Sequence, residues 1–65
     1  MLFLLKIREE NSGHLETQSI DIRYRANVEF KRRTLDYSNR PGRYEISLHH
    51  ESGESLLSTK VGLGW

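Results

Sequence analysis

Seven cationic side chains fall between positions 23 and 43 of this 65-residue chain: Arg23, Arg25, Lys31, Arg32, Arg33, Arg40 and Arg43. Six of the seven are arginine, whose planar guanidinium pairs bidentately with phosphate and stacks on flat rings. Tyr24, Phe30, Tyr37 and Tyr44 lie among or beside them. Cations that neutralise backbone phosphates, beside rings that stack unpaired bases, are how proteins commonly hold single-stranded nucleic acid. Only Glu29 and Asp36 oppose the seven, so residues 23–43 carry +5 while residues 1–22 and 44–65 carry −2 each, a block that the whole-chain charge of +1 hides. The same residues have a plainer use, because an outer sheet face can pair arginines with cross-strand acids, and charged edges discourage aggregation.

Other chemistry is poorly supplied. The chain has no cysteine, which removes disulfides, thiolate zinc sites and thiol catalysis together and fits a reducing cytoplasm. His49 and His50 are adjacent, and neighbours on a strand point to opposite faces, so the two do not close on one metal ion. Glu9 with Glu10 and Glu51 with Glu54 lie in or next to turn-forming sequence, where no pocket sets one carboxyl apart from the other. Gly62-Leu63-Gly64 lacks the third glycine and the following helix of a phosphate-binding loop. A chain this short buries only about 60% of its unfolded surface and has little room for a substrate cavity. The apolar run after Met1, Leu2 to Leu5, is too short for a signal segment or a membrane span. A non-catalytic binding protein is expected, with no cofactor, metal or small-molecule substrate and without membrane attachment, in the cytoplasm.

The elements that must position the basic block are read from periodicity. From Ile20 to Phe30 apolar and polar residues alternate without a break, the period of a strand with Ile20, Ile22, Tyr24, Ala26, Val28 and Phe30 on one face. As a helix the same stretch splits, with Tyr24, Val28 and Leu35 on one side and Ala26, Phe30 and Tyr37 nearly opposite, so no single apolar stripe forms. Asn11-Ser12-Gly13 and Glu51-Ser52-Gly53-Glu54 read as hairpin loops. Ser38-Asn39-Arg40-Pro41-Gly42 reads as a turn with proline at its second position and glycine supplying positive φ. The expectation is one all-β domain over residues 1–65: a small curved antiparallel sheet or barrel of four to five strands, OB-like or SH3-like. A ββαββ arrangement, with a short helix over residues 26–36, is the alternative. In the all-β reading Arg23, Arg25, Lys31 and Arg43 face outward, and Tyr37, in the loop beside Arg40, is the ring placed for stacking.

A second, apolar feature concerns association. Phe3, Leu5 and Ile7 share the parity of a core face, which leaves Leu2 and Leu4 on the wet side, and Leu56 beside Leu57 also breaks alternation. With Trp65 as an anchor, Leu2, Leu4 and Leu56 form a candidate interface, for a homodimer or for a foreign chain. The segment Phe30-Lys31-Arg32-Arg33-Thr34-Leu35-Asp36, followed by Arg40-Pro41-Gly42-Arg43-Tyr44 and the strand to Leu48, resembles the small single-stranded-DNA-binding proteins of filamentous phages. Those have a basic strand ending in a Leu-Asp turn and then a Pro-Gly-x-Tyr hairpin strand. The resemblance implies an OB-like five-stranded barrel, a two-fold dimer and non-specific binding of single strands, with Arg32, Arg33 and Tyr37 on the binding surface. Two functions stay open: a phage-type protein engaging nucleic acid through Arg23, Arg25, Lys31, Arg32, Arg33, Tyr37, Arg40 and Arg43, or a small inhibitor or adaptor acting on a larger host protein.

Overall fold

The computed structural model describes residues 2–65, in the order β1 (Phe3–Glu9), β2 (Leu15–Ile20), α1 (Arg23–Ser38), β3 (Tyr44–His50) and β4 (Ser55–Val61). The four strands make one antiparallel sheet ordered β2-β1-β3-β4. The small, mostly-strand domain expected from the sequence is present, and both hairpins turn where Gly13 and Gly53 supply positive φ. The sheet does not close into a barrel: β2 and β4 are free edges. Among the described residues no helix is long and apolar enough to cross a membrane.

The middle of the chain follows the ββαββ alternative. Ile20–Phe30 is not a strand; Ile20 ends β2, and Arg23–Ser38 is helical, longer than the 26–36 helix allowed for. Both apolar sets on the helical wheel are real, and only one is used. Ala26 and Tyr37 are buried and Phe30 packs half-buried beside them, spacings of four and seven residues that align on one side of a helix. Tyr24, Val28 and Leu35 remain 76%, 46% and 69% exposed. Residues 25–36 are rich in Arg, Ala, Glu, Lys and Leu, which lose little rotamer freedom in a helix. Local ion pairs reinforce it: Asp21–Arg25, Glu29–Arg32, Glu29–Arg33 and Asp36–Arg40 all fall at i,i+3 or i,i+4, each contributing a few tenths of a kcal/mol. Once one face of the helix is buried, these local terms outweigh an alternation that would have put Arg23, Arg25 and Glu29 in a strand.

The core lies between that face and the two central strands. Phe3, Leu5 and Ile7 of β1 and Ile46 and Leu48 of β3 are buried, and the register sets Leu5 opposite Leu48 and Ile7 opposite Ile46. Ile20 closes one end, opposite Phe3. At the other end the Tyr37 ring meets Tyr44 edge-on, 4.8 Å between centroids, and Arg40 stacks on Tyr37 at 4.1 Å. Pro41 ends the helix, since it has no N–H to donate and cannot continue the ladder. Behind it the C-terminal residues hook back onto the turn: the Leu63 N–H donates to the Arg40 carbonyl at 3.0 Å and the Gly64 N–H to the Gly42 carbonyl at 2.9 Å. Gly62 sits at φ +114° with its α-carbon facing the Gly42 carbonyl, leaving no room for a β-carbon.

Two stability outcomes follow. Leu5→Ala removes a fully buried side chain and should lower unfolding free energy by about 3 kcal/mol, whereas Leu35→Ala, on the exposed side of α1, should change it by under about 0.5 kcal/mol; urea titration followed by circular dichroism measures both, and equal losses would contradict the assigned helix face. Gly62→Ala should cost about 1–3 kcal/mol through backbone strain, with Gly53→Ala, whose β-carbon meets nothing within 4 Å, paying only for its positive φ and losing less in the same assay.

Candidate functional site

With α1 on one face, the opposite face of the sheet is open. The register lays it out in rows across β2, β1, β3 and β4: Leu15, Arg8, Glu45 and Lys60; then Thr17, Lys6, Ser47 and Ser58; then Ser19, Leu4, His49 and Ser55. Neighbouring strands are about 4.8 Å apart and alternate residues about 6.6 Å apart along a strand, so Lys6, Arg8 and Lys60 occupy one area of about 12 Å across. Arg8 is tied to Glu45 at 3.3 Å and to Glu10 at 3.5 Å. His49 hydrogen-bonds Ser47 at 3.0 Å, while His50 lies on the helix-covered side against Phe3, ring centroids 5.5 Å apart.

Trp65 stands at the Lys60 end of this face. Its indole Nε1–H donates to the Val61 carbonyl at 2.7 Å, which fixes the ring. The Lys60 ammonium lies 5.1 Å and the Arg43 guanidinium 5.6 Å from the ring centroid. Arg43 Nε also donates to the Gly64 carbonyl at 3.0 Å, which leaves its terminal nitrogens free of that bond. The ring remains half exposed. An anchored, half-exposed aromatic plane with two cations over it offers charge for an anion and ring surface for a flat group attached to it.

The basic block singled out in the sequence is distributed differently. Arg23, Arg25, Lys31, Arg32 and Arg33 are on α1, with Arg40 and Arg43 in the turn after it, so they do not share an exposed strand face. At 100° per residue Arg25 and Arg32 point to one flank of the helix and Arg23 and Lys31 to another. Arg33 is half-buried between Glu29, at 3.6 Å, and Gln18, at 3.3 Å. Tyr37, expected in a loop, is in the helix and 7% exposed, because its spacing from Ala26 and Phe30 carries it into the core; it is not accessible for stacking. The segment Phe30–Asp36, likened to a basic strand, is the second half of α1.

The four candidate interface residues do not converge either. Leu4 is on the open face, about 13 Å along β1 from the row that holds Lys60, and exposed Leu2 lies just before that strand. Leu56 packs against the core on the helix-covered side, where a register shift at Leu48/His49 leaves it without an opposite residue in β3. That shift is the reason for the broken alternation, since a bulge turns consecutive residues towards one face.

Among the described residues, five cations have no acidic side chain within ion-pair distance: Lys6, Arg23, Lys31, Arg43 and Lys60. Three of these belong to the open face and two to the flank of α1. Lys6 and Lys60 lie outside the basic block and were not marked by the sequence; the signal available was strand parity, which sends Lys6 and Arg8 to the same side as Glu45. Comparison with models of known protein families, with curated proteins and with solved structures finds no match for this chain.

Proposed function

We propose that the protein is a small non-catalytic binding protein that holds single-stranded nucleic acid on the open face of its sheet. The observation that carries this reading is the half-exposed ring of Trp65 with Arg43 and Lys60 over it, on the same open face as Lys6, none of the three cations paired with an acid. A base stacks on the indole, and the phosphates on either side reach the flanking cations. Arg8, held by Glu45 and Glu10, adds charge at the cost of exchanging one of those pairs. Ser47, Ser58, Thr17 and His49 supply hydrogen-bond partners around the cations, and a face with hydroxyls and few carboxylates repels a polyanion little. Single strands fit better than a duplex, because stacking on a ring needs an unpaired base.

Trp65 is the sole tryptophan, so its fluorescence reports the interaction directly. Titration with a twelve-residue thymidine oligonucleotide at low salt is expected to quench it. The logarithm of the affinity should fall with the logarithm of salt at a slope of about −2 to −3, as three or four phosphate contacts on a single strand require. Lys6→Glu combined with Lys60→Glu should weaken binding at least tenfold, and Arg25→Glu with Arg32→Glu under about threefold once net charge is matched. Absence of quenching at low salt, an affinity indifferent to salt, or a larger loss from the helix pair than from the sheet pair would each overturn the reading.

A further inference from the structure

The two remaining unpaired cations, Arg23 and Lys31, line a second feature. Between α1 and β4 runs a cleft of about 480 Å³ with Phe30, Leu56 and Leu57 as its apolar lining and Arg23, Asn27 and Lys31 along the helix side. The helix packs most against β3 and meets β4 as closely as β1, and β4 is a strand whose outer edge has no neighbour. The bulge at Leu48/His49 places both Leu56 and Leu57 on this side, and Leu57 stays exposed. Acidic residues occur only past Arg23, where Asp21 and Glu54 border the adjoining part of the cleft; none lines the stretch between Arg23 and Lys31.

We infer that this cleft is a docking site for an extended acidic segment of a partner protein, which pairs with the free edge of β4 as a fifth strand. Strand addition supplies the backbone hydrogen bonds that an edge strand leaves unmade, and alternate side chains of the added strand enter the cleft. The spacing sets the pattern of that segment. Arg23 and Lys31 are eight residues apart on the helix, about 12 Å along its axis. An extended chain covers about 13 Å in four residues, so acidic residues at positions one and five meet the two cations while an apolar residue at position three rests on Phe30, Leu56 and Leu57. A second copy of this chain is the poorer occupant: pairing β4 with β4 about a two-fold axis brings each copy's Arg23 and Lys31 towards the other's, with no acid between them. The site is on the opposite side of the sheet from Lys6, Lys60 and Trp65, so it does not depend on the nucleic-acid reading.

The test uses the full chain and a fluorescein-labelled ten-residue peptide with two glutamates four positions apart, leucine midway and threonine elsewhere, read by anisotropy. The glutamate peptide is expected to bind at least tenfold more tightly than the same peptide with lysines in place of the glutamates. The doubly substituted Arg23→Glu, Lys31→Glu protein should invert that preference, and both positions are exposed, so circular dichroism should show the fold unchanged. Amide hydrogen exchange should slow along β4 on binding. Equal affinity for the two peptides, no binding of either, an unchanged preference in the charge-reversed protein, or displacement of the peptide by an oligonucleotide would overturn the inference. So would light scattering that shows a dimer of the unmodified chain dissociated by Leu57→Asp, because the cleft would then be filled by a second copy.

Discussion

A single sixteen-residue helix can bury one face of a four-stranded sheet and no more, and every other property of this molecule follows from which face it takes. Antiparallel pairing of β1 with β3 puts Phe3, Leu5, Ile7, Ile46 and Leu48 on one side, a block of branched and aromatic side chains that must leave water. Burying a single such residue contributes about 1.5–3 kcal/mol, and no other pair of strands offers so many: five of six residues of β2 are exposed, and β4 has none fully buried. The helix is therefore drawn over this side of the sheet, packed most against β3. The consequence is a molecule with one covered face, one open face, and a cleft where the helix meets the edge strand β4.

This constraint also explains which parts of the fold were legible in the sequence. The strands at Phe3–Glu9 and Tyr44–His50 and the turns at Gly13 and Gly53 were readable because alternation and turn chemistry are local signals that packing reinforces. The central segment was not, and the reason is specific. In a helix it carries two apolar stripes, of which only Ala26, Phe30 and Tyr37 reach the core, while Tyr24 and Val28 add apolar residues at strand spacing without being buried. An alternation count gives those exposed residues the same weight as buried ones. What decides between the readings is tertiary: a sheet with Leu5, Ile46 and Leu48 on one face needs a cover, and a helix with small Ala26 at the point of contact can approach closely enough to supply it.

The charges show the converse problem. Arg23, Arg25, Lys31, Arg32 and Arg33 are contiguous enough to look like a patch, yet a helix distributes nearby positions around its circumference, and Glu29 alone engages two of the five. Density of cations along a sequence thus becomes density on a surface only when the period of the element agrees. Lys6 and Lys60 are more than fifty positions apart, and strand pairing brings them onto one face with Arg8 and Glu45 between. No inspection of residues 1–22 or 44–65 alone, each with a net charge of −2, suggests a cationic surface, because the acids of those segments sit mainly in turns, at strand ends or on the covered side.

Ion pairing then separates charges that hold the fold from charges left for other work. Asp21, Glu29 and Asp36 satisfy Arg25, Arg32, Arg33 and Arg40 within or beside the helix, and Glu45 with Glu10 satisfies Arg8. Exposed pairs of this kind add little stability each, but they lower the attraction of those cations for an outside anion, since any new contact must replace an existing one. The cations without such a partner are not scattered: Arg43 and Lys60 lie over the anchored ring on the open face that also carries Lys6, and Arg23 and Lys31 border the cleft beside β4. The open face has no covering element, and the cleft lies where the one helix meets an edge strand that has no outer neighbour. In a chain this small, the surfaces at the margins of the core are also those where unpaired charge lies beside exposed apolar or aromatic area, which is the combination on which both proposed contacts rest.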